Sequence, residues 1–205
     1  MSAEHSERQL WDKRYQAGLL FGTEPNEYLR SQAYRLKPGM KALAVAEGQG
    51  RNGVWLAQIG LDVLATDISP VGLASAESLA AERGVRIRTE CVDLAAWQWP
   101  VAEFDVAVEI FTHFQALARS AVHEGMVRAL KPGGLIIFEG FHERQAGRPS
   151  GGPRDAEMLY TPEKLLNEFR GMQMLELLEG TTILDEGSRH QGAAVVVRMV
   201  ARKSA

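Results

Sequence analysis

Short apolar runs alternate with longer helix-like stretches along most of this chain of 205 residues. The clearest runs cover residues 41–46, 62–66 and 104–110, and the last contains only two polar residues, Asp105 and Glu109. A strand that is apolar along its whole length must be covered on both faces, as in a parallel sheet between helices. The pattern therefore predicts an α/β fold with a doubly wound, mostly parallel sheet.

Capping residues and glycines mark the ends of the predicted helices. Ser69-Pro70 and Thr161-Pro162 each place an N-cap residue before a proline at the first helical position. Gly84 is typical of the residue just past a helix end. The helices predicted in this way cover residues 51–59, 69–83, 120–130 and 161–170.

Further strands are predicted at residues 85–89, 135–138, 172–179 and 193–200. The last two are separated by loop residues with no helix between them, so we expect an antiparallel hairpin at one edge. The whole is then a seven-stranded sheet with an antiparallel C-terminal hairpin. In such sheets, ligands bind beyond the carboxyl ends of the strands, where the strand order reverses.

The length of the chain corresponds to one domain, at roughly 100–200 residues per domain. We expect residues 1–205 to form it, with residues 1–35 as an N-terminal helical lid and residues 36–205 as a catalytic sheet domain. Residues 139–160 make a long connection, which is typical of a lid. We expect this loop to lie on the substrate side.

Charge and composition exclude several classes of function. The chain has 23 basic and 26 acidic residues, for a net charge of −3, which argues against a nucleic-acid partner. Its single cysteine, Cys91, excludes an internal disulfide, and we expect it to be buried. No run approaches the ~20 apolar residues of a membrane helix. We therefore expect a cytoplasmic monomer or homodimer with no membrane partner and no metal.

A glycine-rich loop follows the first strand. Gly48, Gly50 and Gly53 spell GxGxxG, in which a backbone without Cβ lets a ligand approach the N-terminus of a helix. Asp67 ends the next strand and can accept hydrogen bonds from both hydroxyls of a ribose. These features also fit an NAD-dependent oxidoreductase, although no Ser/Tyr/Lys catalytic set is evident.

Two further segments favour S-adenosylmethionine over NAD. They are CVDL at residues 91–94, after the third strand, and LKPGGL at residues 130–135, before the fifth. With the glycine loop they resemble the class I, Rossmann-like S-adenosylmethionine-dependent methyltransferases. WDKRY at 11–15 and GQGRN at 48–52 are similar to motifs of the tellurite-resistance and thiopurine methyltransferase-like subgroup. Shorter similarities lie at 21–26, 111–114 and 151–153, so the resemblance spans about residues 11–200.

The glycine loop departs from the usual DxGxGxG pattern of this class. Ala44 stands in place of the acid, and Ala46 stands in place of the first glycine. Ala46 still lets a ligand approach closely if its φ is negative. Glu47, or backbone carbonyls near Ala46 and Ile110, are expected to hold the methionine amino group instead. The missing acid keeps open a third reading, a nucleotide-binding regulatory domain without catalysis.

The resemblance implies roles for residues around the cofactor. Asp67 would bind the ribose, Ile68 would pack on the adenine, Asp93 would accept from its amino group, and the Leu94 N–H would meet the ring. The predicted cofactor-binding set is Trp11, Arg14, Tyr15, Ala46, Glu47, Gly48, Asn52, Asp67, Ile68, Asp93, Leu94, Glu109 and Ile110.

Two residues of that set have predicted roles at the methionine tail. Arg14, on a helix with Trp11 and Tyr15, would pair with the methionine carboxylate and close the site. Asn52 would fix the glycine turn or touch the same tail, whereas its neighbour Arg51 is expected to be solvated.

Two residues are candidates for catalysis on a small-molecule acceptor. His113 follows the fourth strand, and an imidazole is suited to proton transfer near neutral pH. Arg144 lies in the 139–160 loop and could recognise an anionic substrate, as could Arg148 and Arg154. The acceptor stays open at this stage among a thiol, a chalcogen oxyanion and other small metabolites.

Overall fold

A seven-stranded sheet organises the computed structural model, which describes residues 3–204 and the side chains from residue 7 onward. Residues 1, 2 and 205 of the predicted domain lie outside the described residues. The strands are β1 (Lys41–Val45), β2 (Asp62–Asp67), β3 (Arg88–Cys91), β4 (Phe104–Ile110), β5 (Leu130–Phe141), β6 (Met172–Glu186) and β7 (His190–Lys203). The helices are α1 (Ala3–Gln16), α2 (Glu27–Ser31), α3 (Arg51–Gln58), α4 (Pro70–Glu82), α5 (Ala116–Ala129) and α6 (Pro162–Glu168).

The strand order is β3-β2-β1-β4-β5-β7-β6. Neighbouring strands among the first five are parallel, whereas β7 pairs antiparallel with both β5 and β6. This confirms the predicted doubly wound sheet with an antiparallel C-terminal hairpin. The order reverses between β1 and β4, so the carboxyl ends of these strands define the expected ligand position.

Both faces of the sheet are covered because its central strands are apolar on alternate sides. In β4, Phe104 and Ala107 face the core formed with α5 and α6, and Val106 and Val108 face the core formed with α2, α3 and α4. All four side chains are at most 2% exposed. Burial on both faces fixes the register of the sheet and therefore the positions of the loops beyond it.

The predicted helix caps are formed. The Ser69 hydroxyl accepts from the Gly72 N–H at 3.1 Å, and the Thr161 hydroxyl accepts from the Lys164 N–H at 3.2 Å. Asn26, which the sequence did not single out as a cap, accepts from the Leu29 N–H at 2.9 Å and begins α2. No helix among residues 3–204 has the length and apolar character needed to cross a bilayer.

Several predicted strands have different bounds in the structure. The third strand covers Arg88–Cys91 rather than residues 85–89, because Val85 and Ile87 pack against α3 and α4 before the pairing begins. The C-terminal hairpin is much longer than predicted, with only residues 187–189 between β6 and β7. Its outer half carries polar residues such as Thr181 and Asp185, so it lacks an apolar run.

Candidate active site

The glycine loop leaves β1 where the sheet order reverses. Its backbone has positive φ at Ala46 (48°), Gly48 (63°) and Gly50 (95°). The condition stated for Ala46, a negative φ, is not met, and the residue stands in the left-handed region that glycine adopts more easily. At Gly50, a Cβ would lie 2.6 Å from the Ala76 Cα, so the loop packs directly on α4.

Two carboxylates fix the shape of this loop. Glu47 Oε1 accepts from the backbone N–H groups of Asn52 (2.9 Å) and Gly53 (2.7 Å), at the N-terminus of α3. Asp67 accepts from the N–H groups of Gly48 and Ser69, both at 2.8 Å, and so joins the loops after β1 and β2. Each carboxylate is therefore a structural element of the loop as well as a candidate ligand group.

Both carboxylates are held at unusual pKa values. Burial raises the pKa of Glu47 to about 7 and that of Asp67 to about 6, against the lowering effect of the backbone N–H donors and, at Glu47, of the nearby Arg51 guanidinium. Within the described residues, no Lys, Arg or His side chain forms an ion pair with either of them. A cationic ligand would stabilise the charged forms of both carboxylates.

Helix α1 lies over the two loops. The Tyr15 side chain is only 7% exposed, and its hydroxyl lies above Gly48, where a Cβ would be 2.6 Å away. Trp11 stacks on Tyr15 at 5.4 Å, and Asp12 accepts a hydrogen bond from the Ser69 hydroxyl. Arg14 is exposed, and its guanidinium lies 4.7 Å from the centre of the Trp11 ring.

The loop after β3 contributes a third carboxylate to this edge of the sheet. Asp93 is half-buried and accepts from the Ala95 N–H at 3.0 Å, whereas Leu94 is in the core. Ile68 is also half-buried. Cys91 was expected to be buried but is exposed, because β3 is an edge strand and most of its side chains face solvent.

Comparisons with known proteins agree with this geometry. Residues 42–134 match the family described as "Methyltransferase domain". The chain is 32% identical over 133 residues to a ribosomal protein methyltransferase of Thermus thermophilus, covering 63% of this chain and 51% of that protein. It is 30% identical over 112 residues to an uncharacterised protein of Mycobacterium tuberculosis, covering 52% of this chain and 41% of that protein. The matched region thus spans about half, or less, of these relatives.

Solved structures show the same fold at low sequence identity. TehB from Haemophilus influenzae superposes with a TM-score of 0.73 at 19% identity, over 97% of this chain and 67% of that one. A putative methyltransferase from Bacillus halodurans gives 0.69 at 16% identity, over 88% and 100%. A protein studied for the conversion of a disulfide bond into a thioacetal group during echinomycin biosynthesis gives 0.78 at 17%, over 97% and 92%.

Residues 42–134 are therefore similar to a methyltransferase domain, and the seven-stranded sheet has the fold of the class I S-adenosylmethionine-dependent methyltransferases. The residues at the strand ends fit the cofactor of this class, which combines a sulfonium and an ammonium group with a ribose diol. Asp67 is buried and Glu47 is half-buried, neither carboxylate forms an ion pair within the described residues, and Gly48 offers a backbone with no Cβ beside them. The four lone pairs of the Asp67 carboxylate also exceed the backbone N–H groups that donate to it, which leaves at least one for a ligand.

The remaining residues of the GQGRN turn hold the N-terminal segment between α1 and α2. Asn52 Oδ1 accepts from the Asn26 N–H at 2.9 Å, and Gln49 Oε1 accepts from the Leu20 N–H at 3.0 Å. Arg51 was expected to be solvated, but it is 7% exposed and pairs with Glu186 at 2.7 Å. The sequence did not reveal this contact, because Glu186 comes from the unpredicted outer half of the hairpin.

A buried polar network lies below the ends of β4 and β5. The His123 imidazole is within 3.2 Å of Glu109 Oε2 and 2.5 Å of Glu168 Oε2, and Arg119 donates to Glu168 at 2.8 Å. The two carboxylates outweigh burial and raise the pKa of His123 to about 9. The Glu109 carboxylate, predicted to serve the cofactor, is thus engaged in the interior, where the Tyr160 hydroxyl also approaches it at 3.4 Å.

Three other residues of the predicted site, Ile110, His113 and Arg144, lie in different surroundings. Ile110 is half-buried against the core on the α2–α4 side. His113 is half-buried beyond β4, with its Nδ1 3.1 Å from the Met158 carbonyl oxygen. Arg144 is exposed and pairs with Glu179 of β6 at 2.8 Å, so the structure does not bring it together with His113.

The 139–160 segment is more ordered than a free loop. β5 continues to Phe141, and short 3₁₀ turns follow at Glu143–Gln145 and Ala156–Met158. Gln145 and Ser150 are 1% exposed and bond to backbone groups of β7 at Val195 and Ala193. These buried anchors attach the segment to the sheet.

Proposed function

We propose that this chain is an S-adenosylmethionine-dependent methyltransferase that acts on a small-molecule acceptor. The observation that carries the proposal is the pair of carboxylates, the half-buried Glu47 and the buried Asp67, that lie around the glycine loop and beneath α1 without an ion-pair partner in the described residues. The net charge of −3 supports a small acceptor over a nucleic acid. The fold shared with TehB also supports membership of the tellurite-resistance and thiopurine methyltransferase-like subgroup.

In this proposal, residues at the ends of different strands bind different parts of the cofactor. Asp67 accepts from the ribose hydroxyls, Asp93 accepts from the adenine amino group, and Ile68 packs on its ring. Glu47 attracts the methionine ammonium group, because Ala44 cannot provide the usual acid. When bound, the cofactor supplies an activated methyl group whose leaving group is a neutral thioether.

The polypeptide then has to orient the acceptor and exclude water. Residues 1–35 act as the lid of a single domain, with Tyr15 closing over Gly48, and residues 139–160 form the substrate side. His113 accepts the proton that an acceptor hydroxyl or amine releases. Arg144, which is paired with Glu179 in the structure, is given no part in this step.

A transfer assay tests the proposal. The full chain is incubated with S-adenosylmethionine labelled in its methyl group and with separate small-molecule, protein and RNA fractions of a bacterial lysate. We expect S-adenosylhomocysteine to form and the label to enter the small-molecule fraction. Label in the protein or RNA fraction alone would contradict the choice of acceptor. Binding without S-adenosylhomocysteine production, across thiol, hydroxyl, amine and chalcogen acceptors, would favour a regulatory domain.

A further inference from the structure

Five aromatic side chains meet beyond the carboxyl ends of β4 and β5. The His113 ring stacks on Phe141 at 5.5 Å, and Phe111 lies 4.5 Å from Phe141. The His190 ring is 4.7 Å from both Phe111 and Phe21. We call these five side chains the aromatic cluster. The last residue of β1, Val45, pairs with Glu109 near the end of β4. The cluster therefore lies beyond the strand next to the one that the glycine loop follows.

Two glycines bring the 139–160 segment onto this cluster. A Cβ at Gly151 would lie 2.7 Å from the His190 ring, and one at Gly152 would lie 2.9 Å from the Phe141 ring. Both have positive φ, at 121° and 92°. These glycines belong to the similarity noted at residues 151–153. Because they have no side chain, the backbone can pack directly on the rings of the cluster.

His113 offers the cluster an unused hydrogen-bond acceptor. The Met158 carbonyl can only accept, so His113 Nδ1 carries the hydrogen and Nε2 keeps its lone pair. The Nε2 atom is buried and has no hydrogen-bond partner in the structure. Leaving a buried acceptor unpaired costs about 1–3 kcal/mol, so this atom is expected to have a partner in the working complex.

The charges around the cluster argue against an anionic acceptor. The two buried arginines of the described residues, Arg51 and Arg119, are paired with Glu186 and Glu168 at 2.7 and 2.8 Å. Arg148, Arg154 and Arg189 are all exposed to solvent. A tellurite ion or a carboxylate entering the cluster would therefore meet aromatic rings and no unpaired buried cation, which makes its desolvation unfavourable.

We propose that the aromatic cluster binds an uncharged aromatic acceptor and that the acceptor hydroxyl donates its hydrogen bond to His113 Nε2. This inference rests on the proposed function and narrows its acceptor to a phenol. Aromatic rings favour stacked or edge-to-face partners, which the cluster provides. A hydroxyl group, unlike a thiolate, must lose its proton during methyl transfer, and Nε2 is available to take it.

The step balances without any additional reactant. The hydroxyl oxygen forms a bond to the methyl carbon, and the carbon–sulfur bond of the methyl donor breaks with both electrons going to sulfur. The hydroxyl proton moves to His113 Nε2, which gives an imidazolium, an aryl methyl ether and S-adenosylhomocysteine. The imidazolium returns its proton to water when the product leaves, since burial lowers the pKa of His113 to about 4.

Binding is tested first, on the wild-type chain. The chain is saturated with S-adenosylhomocysteine and titrated with 2-naphthol, while the imidazole nitrogens are followed by ¹⁵N NMR. We expect the largest shift at His113 Nε2, and little change when 2-naphthoate or tellurite replaces the phenol. Equal or larger shifts of the His113 Nε2 signal with the two anions would overturn the proposal. Phenol and catechol are titrated in the same way, and the absence of a shift with all three phenols would also overturn it.

A matched pair of variants tests the step. His113→Phe keeps a ring on Phe141 but removes the acceptor, and we expect at least a 100-fold loss of turnover with 2-naphthol at unchanged S-adenosylmethionine affinity. Gln173→Phe is the control, because Gln173 is exposed on β6 at the opposite end of the sheet from Phe141. Unchanged turnover in His113→Phe would contradict the proposed step.

The outcome separates this proposal from the proposed function. Turnover confined to thiols or tellurite in the wild type would overturn the phenol and leave the small-molecule methyltransferase intact. Failure to bind either S-adenosylmethionine or S-adenosylhomocysteine would instead contradict the proposed function itself.

Discussion

Asp67 shows how one side chain can shape a binding loop and still be available to a ligand. Its carboxylate joins Gly48 to Ser69 through two backbone hydrogen bonds of 2.8 Å. The position of this acid at the end of β2 could be predicted, because strand ends follow from the apolar pattern. Its hydrogen bonds could not, since they depend on how the loops after β1 and β2 meet.

We predict that Asp67→Ala weakens S-adenosylmethionine binding at least tenfold, about 1.4 kcal/mol, because both the loop and the ribose lose an acceptor. Asp62→Ala is the control on the same strand, where the side chain is exposed at the opposite end. Calorimetric titration measures both variants. Near-normal affinity in Asp67→Ala would refute the assignment to the ribose.

Ala46 carries a strain that the sequence could not reveal, since φ follows from the fold of the loop. We predict that Ala46→Gly raises the free energy of unfolding by up to about 1 kcal/mol, because glycine adopts the observed φ of 48° without a Cβ clash. Ala102→Gly, at φ 52° in an exposed turn, is the matched control and should change stability similarly. Urea denaturation measures the free energy of unfolding of both variants. A lower value for Ala46→Gly than for the wild type would contradict the inference that Ala46 is strained.

At the scale of elements, the long β6–β7 hairpin holds the N-terminal segment against the glycine loop. A Cβ at Gly187 would lie 2.4 Å from the Gly22 backbone nitrogen, so the turn of the hairpin touches this segment directly. Asn26 also connects the N-terminal segment to the sheet, because its Nδ2 donates to Glu139 of β5 at 2.5 Å and to Glu186 of β6 at 2.9 Å. The hairpin thereby extends the sheet into the wall of the site.

We predict that Asn26→Ala lowers the free energy of unfolding by roughly 2–4 kcal/mol, because α2 loses its cap and two carboxylates lose a donor. Arg30→Ala removes an exposed side chain from the same helix and should change stability by less than about 0.5 kcal/mol. Urea denaturation of the two variants gives the comparison. Equal changes in the free energy of unfolding would show that the Asn26 contacts stabilise the protein no more than an exposed side chain does.

The elements around the site differ in how far the sequence predicts them. The ends of β1, β2 and β4 follow from apolar runs, and the cofactor loops were found because they stand at those ends. Glu186 and Asn26 escaped prediction because their partners are 135 and 113 residues away along the chain, at Arg51 and Glu139. An N-cap asparagine after Pro25 was the one local signal that could have identified Asn26.

At the scale of the whole molecule, stability should depend on pH through the buried groups. The pKa of His123 in the folded chain, about 9, is above its unfolded value, so its contribution is complete below about pH 6.5 and is lost as pH rises through 9. Glu47 and Asp67 act in the same direction, through about pH 7 and 6. We predict a fall of about 1–3 kcal/mol in the free energy of unfolding between pH 6 and 9.5.

Two groups reverse this trend at low pH. Burial lowers the pKa of His113 to about 4, so its contribution is lost as pH falls from about 6.5 to 4. The pKa of Glu186 is lowered to about 2 beside His190 and Arg51, and its contribution is lost below about pH 4.5. Urea denaturation across this range should therefore show a maximum on the acidic side of neutrality. A stability that rises from pH 6 to 9.5 would contradict the charged state assigned to His123.

The central claim is that the carboxyl ends of β1, β2 and β3 form an S-adenosylmethionine site. Isothermal titration of the full chain with S-adenosylmethionine, S-adenosylhomocysteine and NAD tests it most directly, because the glycine loop and Asp67 would also suit a dinucleotide. We predict saturable binding of both sulfur compounds at one site per chain and no binding of NAD. Binding of NAD with no heat from either sulfur compound would contradict the claim.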